Sequence, residues 1–329
     1  MNRRVLTGAA LLAVSTLLAG CADEALPQPR PVEVEGAVPV VLDPQVEVIQ
    51  SNVEQVLATG DEGRDPAALE QRVAGPALEL RRAGYTLRES LTELGGQAKL
   101  SGEQLTEIAP AADGWPRFFV AAVRPNEDQV PMLQVLTQAG PRDPYKLTAW
   151  VTMLPGTTLP ETSTEEAPEA IDPKDQAGLV TTPLNVAARY ADVLTKGDAS
   201  EYADAFAEDA FRTQILGEQA AEREAVSEFF SYEVAHTFRE SDVWAVRTSD
   251  GGAIAFAALD ASRTFAVTQQ GAKLPLPPDL AAFAGRGEAT SNAKVTSLET
   301  VAFVIPPEGS DEPITVLAGE RGTLAAEAS

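Results

Sequence analysis

Apolar residues recur at helical spacing in several stretches of the chain, each opened by a recognisable cap. After Asp43-Pro44, an N-cap residue type followed by one favoured in the first helical turn, Val46, Ile49, Val53 and Val56-Leu57 form one stripe, which Gly60-Asp61 ends. Asp65-Pro66 opens a second helix with Leu69, Val73, Leu78 and Leu80 on its buried side, and Gly84 is expected to break it. Thr182-Pro183 repeats the opening, followed by Leu184, Ala187, Tyr190 and Val193-Leu194, with Gly197-Asp198 as the stop. Asp198 with Glu201 then reads as the capping box of a further helix that buries Tyr202, Phe206, Phe211 and Ile215.

The pattern between and after these helices is short, apolar or alternating. It predicts strands at Trp115 to Val123, Met132 to Thr137 and Tyr145 to Met153, and again at Val243 to Thr248, Ala253 to Leu259, Arg263 to Thr268, Val295 to Ile305 and Ile314 to Leu317. Helices precede strands in each half. That order predicts an α+β fold with helices packed on a curved antiparallel sheet, not a doubly wound α/β fold.

The halves invite comparison. Val56-Leu57-Ala58-Thr59-Gly60-Asp61 agrees with Val193-Leu194-Thr195-Lys196-Gly197-Asp198 at four of six positions, and the elements follow in the same order. The expectation is two divergent copies of one α+β unit, at 43–158 and 181–325, with an insertion around Lys273 to Gly287 in the second. Residues 159–180, rich in Thr, Glu, Pro and Asp, read as a solvated linker. Residues 21–42, with Pro27, Pro29, Pro31 and Pro39, read as a disordered tether.

The first twenty residues read as an export signal. Arg3 and Arg4 supply a positive start, and Val5 to Leu18 is an uncharged, mostly apolar stretch, short of the roughly 20 residues a transmembrane helix needs. Leu18-Ala19-Gly20-Cys21 follows and resembles the lipobox of bacterial lipoproteins at every position. The resemblance implies cleavage between Gly20 and Cys21 and acylation of Cys21, hence a protein held on the outer face of the cell membrane. The general secretory route is favoured over twin-arginine export, because the residues flanking a twin-arginine motif are absent. Cys21 is the only cysteine, so no intramolecular disulfide can form.

The succession of helix, Gly-Asp turn, second helix and curved antiparallel sheet resembles the nuclear transport factor 2-like cone fold, with the segment Val193 to Ser200 as the most similar part. Lipobox and tandem units together resemble an uncharacterised family of actinobacterial lipoproteins. The resemblance implies a fold and a location, and it brings no catalytic residue.

Charge and composition narrow the chemistry. A net charge of -24, with no basic run, argues against nucleic acid as a partner. His236 is the only histidine, and with Cys21 acylated no thiolate remains; neither a transition-metal site nor any other cofactor is expected. No phosphate-binding loop or nucleophile elbow occurs. Among 49 acidic residues close carboxylate pairs arise by number alone, and Glu208 with Asp209 reads as a solvated helix face. A cone would place aromatic residues around any cavity. Phe229, Phe230, Tyr232, His236 and Trp244 are the candidate pocket residues, and no catalytic residue is assigned.

The function expected from this pattern is non-enzymatic: a lipid-anchored module that binds or scaffolds a protein or cell-wall partner in the envelope. The alternative is a small-molecule carrier or enzyme using a cavity in one cone. A solute receptor of a transporter fits poorly, since such proteins alternate strands and helices across two lobes.

Overall fold

The computed structural model describes residues 37–91, 97–163, 165–226 and 228–329. The expected export signal, Gly20, Cys21 and most of the expected tether lie outside the described residues. In chain order the elements are α1 (Asp43–Gly63), α2 (Pro66–Leu69), α3 (Gly75–Ser90), β1 (Glu103–Ile108), β2 (Arg117–Arg124), β3 (Met132–Gln138), β4 (Lys146–Met153) and β5 (Ala170–Ile171). There follow α4 (Pro183–Lys196), α5 (Ala210–Val226), β6 (Phe230–Arg247), β7 (Ala253–Val267), β8 (Leu274–Pro275), α6 (Pro278–Ala284), β9 (Glu288–Ala289), β10 (Asn292–Ile305) and β11 (Thr315–Ala328).

The α+β class is as expected, but the strands of the two halves do not form two sheets. They form one nine-stranded antiparallel sheet, in the order β1-β2-β3-β4-β11-β10-β7-β6-β5, curled into a half-barrel. The expectation of two separate copies is corrected at the seam. There β4 pairs with β11 through Met153 opposite Ala318 and Thr152 opposite Gly319. Phe211 of α5 packs over that seam so closely that a Cβ on Gly319 would stand 2.6 Å from its ring. Arg239 on β6 adds a brace across the halves, binding Glu79 of α3 through two nitrogens, at 2.6 and 2.9 Å, and Asp260 of β7 at 2.6 Å.

Most strands are buried on both faces, which is why they read as continuous apolar runs. On β2, Phe118, Val120 and Ala122 point to the inside of the curl while Phe119, Ala121 and Val123 point to the helices. Inside the curl, residues of the first half such as Phe118 and Val151 share one cluster with Trp244, Ile254 and Phe256 of the second. Outside it, α1 and α3 cover the first half, and α4 and α5 cover the second around Tyr190, Phe206 and Phe303. One end of the curl is drawn together where Ala111 accepts from the Ala170 amide at 3.3 Å and donates to the Pro168 carbonyl at 2.8 Å.

Local differences from the expected pattern have local causes. Gly84 does not end a helix; α3 runs through it to Ser90, and a Cβ there would collide with the Gln97 side chain, so the glycine serves close approach. The helix expected from Asp198 is instead two short 3-10 turns, and α5 begins only at Ala210. Segment 159–180 contributes β5 and buries Ile171 and Leu179. The insertion around 273–287 folds as the β8–β9 ribbon with α6, over a cluster that includes Phe230 and Phe265.

Candidate functional site

The polar groups that the second half buries gather beneath α5. Val295, Ser297, Glu299, Val301 and Phe303 alternate along β10 with the same facing, so two polar residues interrupt an otherwise apolar stripe. Ser297 pairs across β7 with Ala261, which pairs in turn with His236 on β6. The small Ala261 therefore leaves a hollow between a serine, a histidine and the neighbouring Glu299. Gln219 and Ile215 of α5 form its roof.

His236 and Glu299 face each other with side chains only 2% and 1% exposed, His236 Nε2 standing 3.5 Å from Glu299 Oε1. Thr195 of α4 orients the ring. Its hydroxyl donates to the Ala191 carbonyl at 2.9 Å and accepts the His236 backbone N–H at 2.9 Å, so toward Nδ1, at 3.3 Å, it can act only as an acceptor. Nδ1 then donates to the Thr195 hydroxyl, which leaves Nε2 turned toward the Glu299 carboxylate. The other carboxylate oxygen, Oε2, is buried without a hydrogen-bond partner, as is the Ser297 hydroxyl.

Ion pairs form the rim. Arg321 donates to Glu218 of α5 at 2.7 Å, and Arg263 pairs with Glu222 one turn further on. Tyr232 donates to Glu222 at 2.9 Å, and burial, reinforced by that carboxylate, pushes its hydroxyl well up. The space left inside is about 10 Å³, the room needed by one water at most. Deeper under α4, Tyr190 donates to Asp209 at 3.1 Å, and Asp209 also caps α5 by accepting the Arg212 amide at 2.6 Å. Asp209 is thus a buried cap and not a solvated surface residue; burial raises its carboxyl, and its Oδ2 has no partner.

Of the candidate pocket residues, His236 lines the hollow and Tyr232 reaches its rim through Glu222. Phe230 lies in the cluster at the far end of the long strands, Phe229 is exposed beside it, and Trp244 is on the opposite face of the sheet. Ser297, Glu299 and Gln219 escaped sequence reasoning. The readable signal for the first two was the pair of polar residues on the buried stripe of β10. No group of three or more His, Cys, Asp or Glu able to hold a metal ion occurs among the described residues.

The first half holds its buried charge differently. Arg81 of α3, 3% exposed, donates to both oxygens of Asp61 at 3.1 and 2.7 Å and to the Ala98 carbonyl at 2.7 Å, while Tyr85 donates to Asp61 at 2.6 Å. This network lines an open cleft of about 460 Å³.

Residues 51–328 match a family described as a domain of unknown function, DUF8094. The chain belongs to the DUF8094 family. The DUF8094 match runs from within α1 to the end of β11, so it includes both helical layers, the seam and the His236 hollow. No curated protein and no solved structure matches the chain.

Proposed function

We propose that this DUF8094 protein is an extracytoplasmic lipoprotein, held in the cell membrane by acyl chains on Cys21, that binds a protein or cell-wall component of the envelope without catalysing a reaction. The observation that carries the non-enzymatic part is the filling of the interior. The two helix-covered faces and the inside of the curl are packed with side chains, and the polar hollow beside His236 holds no substrate-sized space. The lipobox Leu18-Ala19-Gly20-Cys21 carries the location. Two acyl chains hold a protein durably on a bilayer where one does not. Helices packed on one curled antiparallel sheet agree with the expected α+β class alone.

Two measurements test this reading. Cys21→Ser should abolish lipid labelling and release the protein from the membrane fraction; retention of an unprocessed, unchanged chain in membranes would overturn the anchor. Turnover by the purified protein against a broad panel of esters, phosphates and glycosides would overturn the non-enzymatic role.

A second reading, a carrier or enzyme working at the hollow, is favoured by one observation: Glu299 Oε2 and the Ser297 hydroxyl are buried without partners, a cost that a purely structural core avoids. It requires α5 to move. It predicts that Glu299→Gln abolishes any binding or turnover found, whereas the envelope-binding reading predicts no change.

A further inference from the structure

We propose that the face carrying Val38, Arg117 and Trp115 rests on the membrane to which Cys21 is anchored, with Trp115 in the headgroup layer; this rests on the lipoprotein reading above. Seven large apolar side chains stand exposed among the described residues, with Leu105, Val130 and Phe229 scattered along the chain. Val38, Leu42 and Val48 fall within the first twelve described positions. Trp115, 38% exposed, is linked to Val38 through Arg117. The backbone of Pro39 bridges to Ala111, and Val38, Val40, Ala112 and Arg117 line one open hollow of about 880 Å³. Arg117 places its guanidinium 4.3 Å from the centre of the Trp115 ring.

This combination suits the bilayer surface. An indole is stable where one side is apolar and the other wet, and a stacked guanidinium can reach lipid phosphates without leaving its ring. The hollow also carries Asp113, Glu166 and Glu169, of which Glu169 is engaged by Arg247 at 3.0 Å. The length of the intervening chain supplies the occupant. Ala37 follows Cys21 by sixteen residues. Sixteen residues can reach no more than roughly 53–58 Å, which keeps this face at high local concentration beside the bilayer. The overall negative charge opposes anionic headgroups, so zwitterionic lipid is the matching surface. The anchor supplies the affinity and the face sets the orientation.

The full-length lipidated protein, reconstituted into phosphatidylcholine vesicles with and without acyl chains brominated near the headgroup, tests this. Trp150 and Trp244 are buried, so the emission difference between the native protein and Trp115→Phe reports on Trp115. That difference should fall about two-fold or more in brominated vesicles, as for an indole at the interface. Val38→Asp should restore it while the protein still floats with the vesicles. Equal Trp115 emission in both vesicle types, with the protein afloat, overturns the docked face and leaves the anchor standing, and points to a protein partner for this patch. Protein that does not float at all overturns the anchor, and the docked face with it.

Discussion

The two halves of the sheet carry helices in the same manner, yet they treat buried charge in opposite ways. Beneath α3, Arg81 spends its donors on Asp61 and a backbone carbonyl, and Tyr85 completes the shell of Asp61. Beneath α5, Glu299 and Asp209 each keep an oxygen unpartnered; they are the ionisable groups so placed among the described residues. Leaving a buried acceptor unsatisfied costs about 1–3 kcal/mol, more when it is charged. The first half therefore uses charge to hold α1, α3 and the segment near Ala98 together. The second retains a cost that its own packing does not require, and any chemistry of the interior is to be sought there.

The largest way to break this comparison is at the paired side. Arg81→Ala strands Asp61 and Tyr85 and should lower stability by about 3 kcal/mol, the low end for a broken buried pair because Asp61 remains 29% exposed. Urea denaturation measures it; a loss below about 1 kcal/mol would make the Asp61 network a surface ion pair.

The seam tests whether the halves are one structure. Gly319→Ala drives a Cβ into the Phe211 ring and should cost about 1–3 kcal/mol. Because one cluster inside the curl includes residues of both halves, backbone circular dichroism and tryptophan emission should still report a single coincident transition. Two separated transitions would restore independent units.

Helix stripes and two-faced strands were legible because each is written locally. Thr182 caps α4 through the Asn185 amide as its sequence implies, and Val186, Tyr190 and Val193 are buried on one side. β7 and β10 announce themselves as apolar runs because both their faces are covered. The single sheet was not legible. It depends on a two-pair junction between residues more than 160 positions apart, made by backbone groups that every sequence possesses. β1, Glu103–Ile108, was missed because an edge strand keeps polar residues where a central one cannot. His236 was visible as the only histidine, but its partner Glu299 was one carboxylate among 49, betrayed only by its facing on β10. Leu18 to Cys21 lie outside the described residues, so the lipobox reading rests on sequence alone.

At the unpaired side the sign of the effect reverses. Ser297→Ala removes a buried hydroxyl that has no partner and should raise stability by up to about 1 kcal/mol, in contrast to Arg81→Ala. Thermal melting of the two variants side by side gives the comparison directly. A loss from Ser297→Ala would mean that the hydroxyl binds a water in the hollow beside Glu299.

The smallest effect lies at the seam itself, where Glu320 accepts from Thr152 at 2.9 Å and burial raises its carboxyl above the ordinary glutamate value. A carboxyl raised on folding binds its proton more tightly in the native state. Its contribution is therefore present below the unfolded value, about pH 4.3, and is lost as pH rises through the folded one. Asp209, raised by burial in the same direction, adds a slope of the same sign. Glu320→Gln keeps an oxygen for Thr152 but cannot ionise, so its Tm relative to the native protein should climb as pH rises above about 4 and then level off. Melting curves taken across that range measure the difference. A constant difference would mean that the native Glu320 carboxyl meets water as freely as in the unfolded chain, and that the junction between the halves is open on that side.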